Sequence, residues 1–107
     1  MSASLLDDPI LARFSAAVRE AYGDRLERIV LFGSRARGDH RPDSDYDIAV
    51  FIHGDWALWD EIHSLCAITM DILDETGADV SAKPLQAGSY RERTIFMHEL
   101  RKDGRDL

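Results

Sequence analysis

Two short apolar runs, Ile29-Val30-Leu31-Phe32 and Ile48-Ala49-Val50-Phe51-Ile52, flank a polar stretch that opens on Gly33-Ser34 and closes on Ser44-Asp45-Tyr46-Asp47. No other feature constrains the fold as strongly. Runs this short, bounded by glycine and polar residues, predict a strand, an irregular connection and a second strand. Successive strand side chains point to opposite faces, so Asp45 and Asp47 are expected on one side, with Tyr46 and Ile48 on the other. Two carboxylates held side by side repel unless a cation lies between them, and a hard, oxygen-preferring ion such as magnesium suits them. A phosphate is the expected neighbour of that ion. Gly33 allows close backbone approach, Ser34 supplies a hydroxyl and free N–H groups, and Arg35 and Arg37 add fixed positive charge.

Within the connection, Gly38 and Pro42 mark irregular backbone, and a short helical turn over Ser34 to Arg37 would direct N–H groups at an anion. His40 and Arg41 are expected in solvent. Ser44 has no base beside it in the sequence and is expected to brace the turn. The Asp43, Asp45, Asp47 spacing imitates an EF-hand loop, but Ile48 and Gly54 occupy the positions where that loop needs glycine and glutamate. No P-loop motif is present. A solvated acidic hairpin is the plain alternative, and the glycine-serine turn upstream argues against it.

Gly-Ser, ten residues and then Asp-x-Asp resembles the signature of the DNA polymerase beta nucleotidyltransferase superfamily. The fuller string, G-S-R-A-R-G followed by S-D-Y-D, resembles its smallest branch, the minimal nucleotidyltransferase (MNT) domain, and the likeness extends over most of the chain. The resemblance implies an α/β fold, a small mixed sheet flanked by helices. It also implies that Gly33 and Ser34 bind the triphosphate of ATP, with Arg35, Arg37 and Ser44 around it, and that Asp45 and Asp47 hold two Mg2+ ions. Many MNT proteins are antitoxins paired with a HEPN ribonuclease toxin, and some transfer AMP to a toxin tyrosine. A third carboxylate on a later strand joins the pair in the superfamily, and Asp79 is its match here as both metal ligand and catalytic group. Asp71 and Asp74 are the alternatives, but helical periodicity puts both toward solvent.

The rest of the chain is read around this site. At 107 residues and 45% hydrophobic content, one domain spanning residues 1–107 is expected. Twenty acidic against thirteen basic side chains give a net charge of -7, which argues against nonspecific nucleic-acid binding and favours a basic protein partner. The single cysteine, Cys66, cannot form an internal disulfide, and no leader or membrane-length apolar run occurs. A soluble, cytoplasmic protein without membrane attachment is expected.

An amphipathic helix is predicted from Asp8 to Tyr22, with Ile10, Leu11, Phe14, Ala17, Val18 and Ala21 inward and Gly23 as its stop. A second is predicted from Trp56 to about Glu75, capped at His53-Gly54-Asp55, with Leu58, Ile62, Leu65, Thr69 and Ile72 inward. Trp56, Trp59, Cys66, Met70 and Leu73 widen its stripe beyond what one sheet face needs, so the two tryptophans double as core residues or partner anchors. His63 has no second histidine or cysteine at metal spacing. Ala78 to Ala82 reads as a buried third strand carrying Asp79, ended by Lys83-Pro84-Leu85. Ser89-Tyr90-Arg91-Glu92 has a capping-box pattern and predicts a last helix with Ile95, Phe96 and Leu100, ending near Gly104. Lys83, Arg91 and Arg93 are within reach of a triphosphate or a partner, or simply solvated.

Two function classes follow. In one, the protein adenylylates a HEPN toxin; in the other, it neutralises the toxin by stoichiometric binding without catalysis. Transfer to another acceptor, a small molecule or RNA, is a further alternative, with the net charge against RNA.

Overall fold

A computed structural model describes residues 4–107. Helix α1, Pro9–Tyr22, starts where Asp8 accepts the Ile10 N–H at 2.8 Å and Pro9 fixes the first turn. Its inward face is Leu11, Phe14, Ser15, Val18 and Tyr22; Ala21, expected inside, is exposed because the helix presents Tyr22 to the core instead.

Strands β1 (Leu26–Phe32) and β2 (Tyr46–Ile52) pair antiparallel, from Leu26 opposite Ile52 to Phe32 opposite Asp47. The four-residue helix α2, Ser34–Arg37, lies in their connection as expected. Strand β3, Val80–Gln86, runs parallel to β2, and a two-residue β4, Arg105–Asp106, pairs antiparallel with β1. The order β3-β2-β1-β4 makes a mixed α/β sheet with β2 and β1 in the middle. Parallel neighbours need a crossover, and helix α3, Leu58–Thr76, supplies it between β2 and β3.

Both faces of the sheet are covered, which explains why the central runs are apolar without alternation. Ile29, Leu31, Ile48, Val50 and Ile52 face Leu11, Phe14 and Val18 of α1 and Leu65 and Ile72 of α3. Val30, Ala49 and Phe51 face Met97 and Leu100 of α4, Ile95–Asp103. Phe14 and Phe51 are fully buried, each contributing roughly 1.5–3 kcal/mol of apolar transfer.

Several expectations are corrected. Helix α3 begins at Leu58, with Ala57 rather than Asp55 as its cap, and its inward residues are Glu61, Leu65 and Ile72 while Leu58 is exposed. The buried Glu61 carboxylate is satisfied by Arg25, 2.8 Å away. Strand β3 is not broken by Lys83-Pro84-Leu85 but continues to Gln86; it is an edge strand, where a missing N–H on the outer side is tolerated. Asp79 therefore lies before the strand and is exposed, not buried within it. Ser89–Arg91 forms only a 3-10 turn, and α4 starts later, where the Thr94 hydroxyl accepts the Met97 N–H at 3.1 Å. In α4, Ile95 is exposed and Met97 takes the inward position. Among the described residues, no helix is long and apolar enough to cross a membrane.

Candidate active site

Gly33 ends β1 with φ 76° and ψ -158°, a conformation outside the regions open to side-chain-bearing residues. The reason is visible across the sheet. A Cβ on Gly33 would lie 2.6 Å from Asp47 Oδ2, so the absence of a side chain makes the recess that receives the Asp47 carboxylate. The turn at Gly33 and Asp47 are thus packed together. Immediately after it, Ala36 and Arg37 donate to the Gly33 carbonyl at 3.1 and 3.2 Å, while the N–H groups of Ser34 and Arg35, at the helix start, have no intrahelical acceptor.

Asp47 is partly buried on the last rung of the β1–β2 ladder, and Asp45 is exposed one residue before β2. Burial pushes the Asp47 carboxyl above the usual carboxylate range, the neighbouring Asp45 charge pushes it further, and the Lys83 ammonium opposes both. In the parallel register Asp47 lies beside Ser81 and Ala49 beside Lys83, which sets that ammonium on the sheet next to the acid. Lys83 Nζ also stands 5.8 Å from the Phe96 ring of α4.

Tyr46, between the two acids, points the other way as expected and is buried. Its hydroxyl donates to Asp8 Oδ2 at 2.7 Å, and its N–H donates to the Asp79 carbonyl at 3.0 Å. Burial and the Asp8 hydrogen bond raise its hydroxyl to about pKa 12. Asp8 therefore caps α1 with one oxygen and anchors the acid-bearing strand with the other. Sequence reasoning assigned it only the cap, because a contact over 38 positions leaves no local signal.

Arg35 and Arg37, expected beside a phosphate, are engaged elsewhere. Arg35 donates to the carbonyls of Ser44 at 2.9 Å and Pro42 at 3.1 Å, and its guanidinium lies 3.9 Å from the Tyr46 ring centre. Arg37 pairs with Asp39 at 3.2 Å and Asp103 at 3.6 Å. Both hold the connection in shape. Ser44 braces the turn as expected, its hydroxyl accepting the Arg41 N–H at 2.9 Å; His40 and Arg41 are exposed.

The donor set fits a hard divalent cation in part. Two carboxylates meet beside a glycine recess, and one carries a charge its surroundings disfavour, which a cation would relieve. Asp79 instead lines a cavity of about 320 Å3 with Arg35, Asp43, Ser44 and Tyr46, and among the described residues no three metal-ligating side chains stand together. Magnesium is commonly held by one or two carboxylates with substrate phosphates completing its shell, so a pair is sufficient chemistry.

Residues 19–105 match the family described as Polymerase beta, Nucleotidyltransferase. MJ0604 of Methanocaldococcus jannaschii, a candidate protein adenylyltransferase, is 39% identical over 44 residues, covering 41% of this chain and 44% of the relative. The match thus spans less than half the length of that relative. A candidate nucleotidyltransferase of Sulfolobus solfataricus superposes with a TM-score of 0.60 at 21% identity, over 98% of this chain and 87% of that one. A chain from the solved complex of tri-AMPylated Shewanella oneidensis HEPN toxin with MNT antitoxin gives 0.54 at 16% identity, over 91% and 70%. At such identities the structural likeness is one of fold. With the family match extending over most of its length, the chain belongs to the polymerase beta nucleotidyltransferase family.

Proposed function

We propose that the chain is an antitoxin that transfers AMP from ATP to a tyrosine hydroxyl of a cognate HEPN ribonuclease toxin, acting in the cytoplasm. The observation that carries this reading is the recess at Gly33 filled by Asp47, because it puts an acid against the glycine-serine turn proposed to hold the phosphates. The candidate adenylyltransferase relative and the AMPylated HEPN toxin among the structural neighbours support the choice of donor and acceptor.

Asp45 and Asp47 would hold the magnesium ions, while Asp79, the match to the family's third carboxylate, is not grouped with them. When bound, the ions supply Lewis acidity that neutralises the triphosphate and lowers the pKa of the incoming hydroxyl. The chain's own groups do the rest. Ser34 and the free N–H groups after Gly33 hold the outer phosphates, and the Lys83 ammonium offsets charge on the departing pyrophosphate. Arg35, Arg37 and Ser44 serve by fixing the connection. The tyrosine oxygen forms its bond to the α-phosphorus as the bond to the β-phosphate oxygen breaks. Pyrophosphate leaves with the electron pair, and the hydroxyl proton passes to solvent water. The protein contributes mainly position and charge neutralisation.

One observation favours a second reading, stoichiometric neutralisation without transfer: the third acid is not grouped with the first two. Incubation with ATP labelled at the α-phosphate, magnesium and the HEPN toxin distinguishes them. Covalent label on the toxin with loss of its ribonuclease activity is the expected result; loss of that activity without label would overturn the proposal in favour of binding alone.

A further inference from the structure

We infer that the exposed apolar side of α3 is the surface on which the HEPN partner docks, and that the partner meets it with an apolar ridge bordered by lysine or arginine. The inference rests on the partner named in the proposed function and adds where and how it binds.

Helix α3 has a use for only one of its sides in the core, the one carrying Glu61, Leu65 and Ile72. At 3.6 residues per turn, Trp59, Cys66, Met70 and Leu73 share a different side. Trp59 is 70% exposed, Met70 52% and Leu73 37%, and Cys66 is exposed between them. Single exposed apolar residues are ordinary, but a continuous strip along several turns marks a contact surface. Trp56 does not belong to it, since its indole N–H donates to the Ile52 carbonyl at 3.1 Å and the ring packs on the core. The tryptophan pair thus divides, with Trp56 structural and Trp59 free to act as an anchor, a role for which tryptophan is favoured.

Charge selects the occupant. Asp60, Asp71, Asp74 and Glu75 are exposed on the same helix, which contains no lysine or arginine. Glu75 is paired with Arg13 of α1 at 2.5 Å, and among the described residues Asp60, Asp71 and Asp74 have no ion pair. A second copy of this chain would bring α3 against α3 with acids and no cation to meet them. Nucleic acid is repelled by the same charges. A protein ridge flanked by basic side chains covers the apolar strip and pairs the acids at once.

The test measures the dissociation constant of the full chain with purified cognate HEPN protein, for wild type, Trp59→Asp, Met70→Asp and the double variant Asp71→Lys with Asp74→Lys. Thermal melts verify folding, which these exposed positions leave intact. Each apolar variant is expected to weaken binding roughly tenfold or more. The double variant is expected to weaken it and to flatten its salt dependence. Amides of α3 are expected to gain protection from hydrogen exchange in the complex. Wild-type affinity in all the variants, with α3 amides unprotected in a saturated complex, overturns the docking surface while leaving the partner in place. Absence of any complex with wild type overturns the partner itself and the proposed function with it.

Discussion

Gly33→Ala separates a site built around Asp47 from a turn that merely contains glycine. Gly33 has φ 76° and ψ -158°, and a Cβ there meets Asp47 Oδ2 at 2.6 Å where ordinary contact begins at 3.4 Å. Two effects follow. An alanine forced into this backbone conformation costs roughly 1–3 kcal/mol, and each kcal/mol lowers the melting temperature of a domain of this size by about 4–8 °C. Separately, the Asp47 carboxylate must retreat by about 0.8 Å to restore contact. A misplacement of about 1 Å in a reacting array costs on the order of a hundredfold in rate. Gly88→Ala is the control, since Gly88 has φ 89° with nothing within 4 Å of its added Cβ, and it lies outside the cleft. Both variants are expected to melt at lower temperature, but only Gly33→Ala is expected to lose AMP transfer when assayed well below its melting point. Wild-type transfer by Gly33→Ala, or an equal loss in Gly88→Ala, refutes the argument that the glycine exists to admit the acid.

Other predictions use the same cleft. The folded-state pKa of Asp47 is raised above its ordinary value of 3.8, so the folded protein binds the proton more tightly; stability from this group is present at low pH and lost as pH rises through the raised value. Asp47→Asn is therefore expected to abolish transfer yet melt at higher temperature than wild type at pH 7, with the difference vanishing below pH 3.8; a lower melting temperature at pH 7 contradicts this. Magnesium with a non-hydrolysable ATP analogue is expected to raise the melting temperature of wild type and not of that variant. Lys83→Met removes the ammonium opposing the rise in Asp47, so the acid limb of the transfer profile is expected to move to higher pH, and an unmoved limb counts against Lys83 as the neighbour that matters. Tyr46→Phe is expected to cost about 1–2 kcal/mol in urea unfolding by leaving Asp8 without its donor. Tyr22→Phe is expected to cost nothing, since among the described residues the buried Tyr22 hydroxyl has no partner in hydrogen-bond geometry; a loss above about 1 kcal/mol there reveals that the neighbouring Glu61 carboxylate, which helps raise its pKa, accepts a bond from it.

Much of this was legible in the sequence where the governing interactions are local. The α1 cap at Asp8, the turn at Ser34 to Arg37 and the outward alternation of Asp45 and Asp47 each depend on a few consecutive residues. The errors lie where distant parts decide. Pro84 reads as a strand breaker until β3 is known to be an edge strand, and Asp79 reads as buried until the strand is seen to begin after it. The stripe of α3 is wider than one sheet face needs, and periodicity gives the apolar sides of a helix without saying which of them a neighbour covers. Strand β4 is two residues long and carries no pattern of its own; it exists only because β1 offers an edge. Whether the arginines beside Gly33 touch phosphate or brace the turn is open from sequence, since proximity along the chain does not give the direction of a guanidinium; in the structure both are bound to the loop.

That last point bears on how the cleft is neutralised. If Arg35 and Arg37 faced the acids, the pair would be compensated within the chain and a cation from outside would have little to offer. Both are committed to the loop instead, and Lys83 is the basic group whose charge reaches Asp47. The remaining negative charge is held in place by Gly33 on one side and by Tyr46, tied to Asp8 and Asp79, on the other. A rigid site with an uncompensated charge binds a cation without first reorganising, and a triphosphate adds further oxygens to the same ion. On the proposed function the arginines would serve the transfer indirectly, by fixing the connection that carries Asp45 rather than by touching the nucleotide.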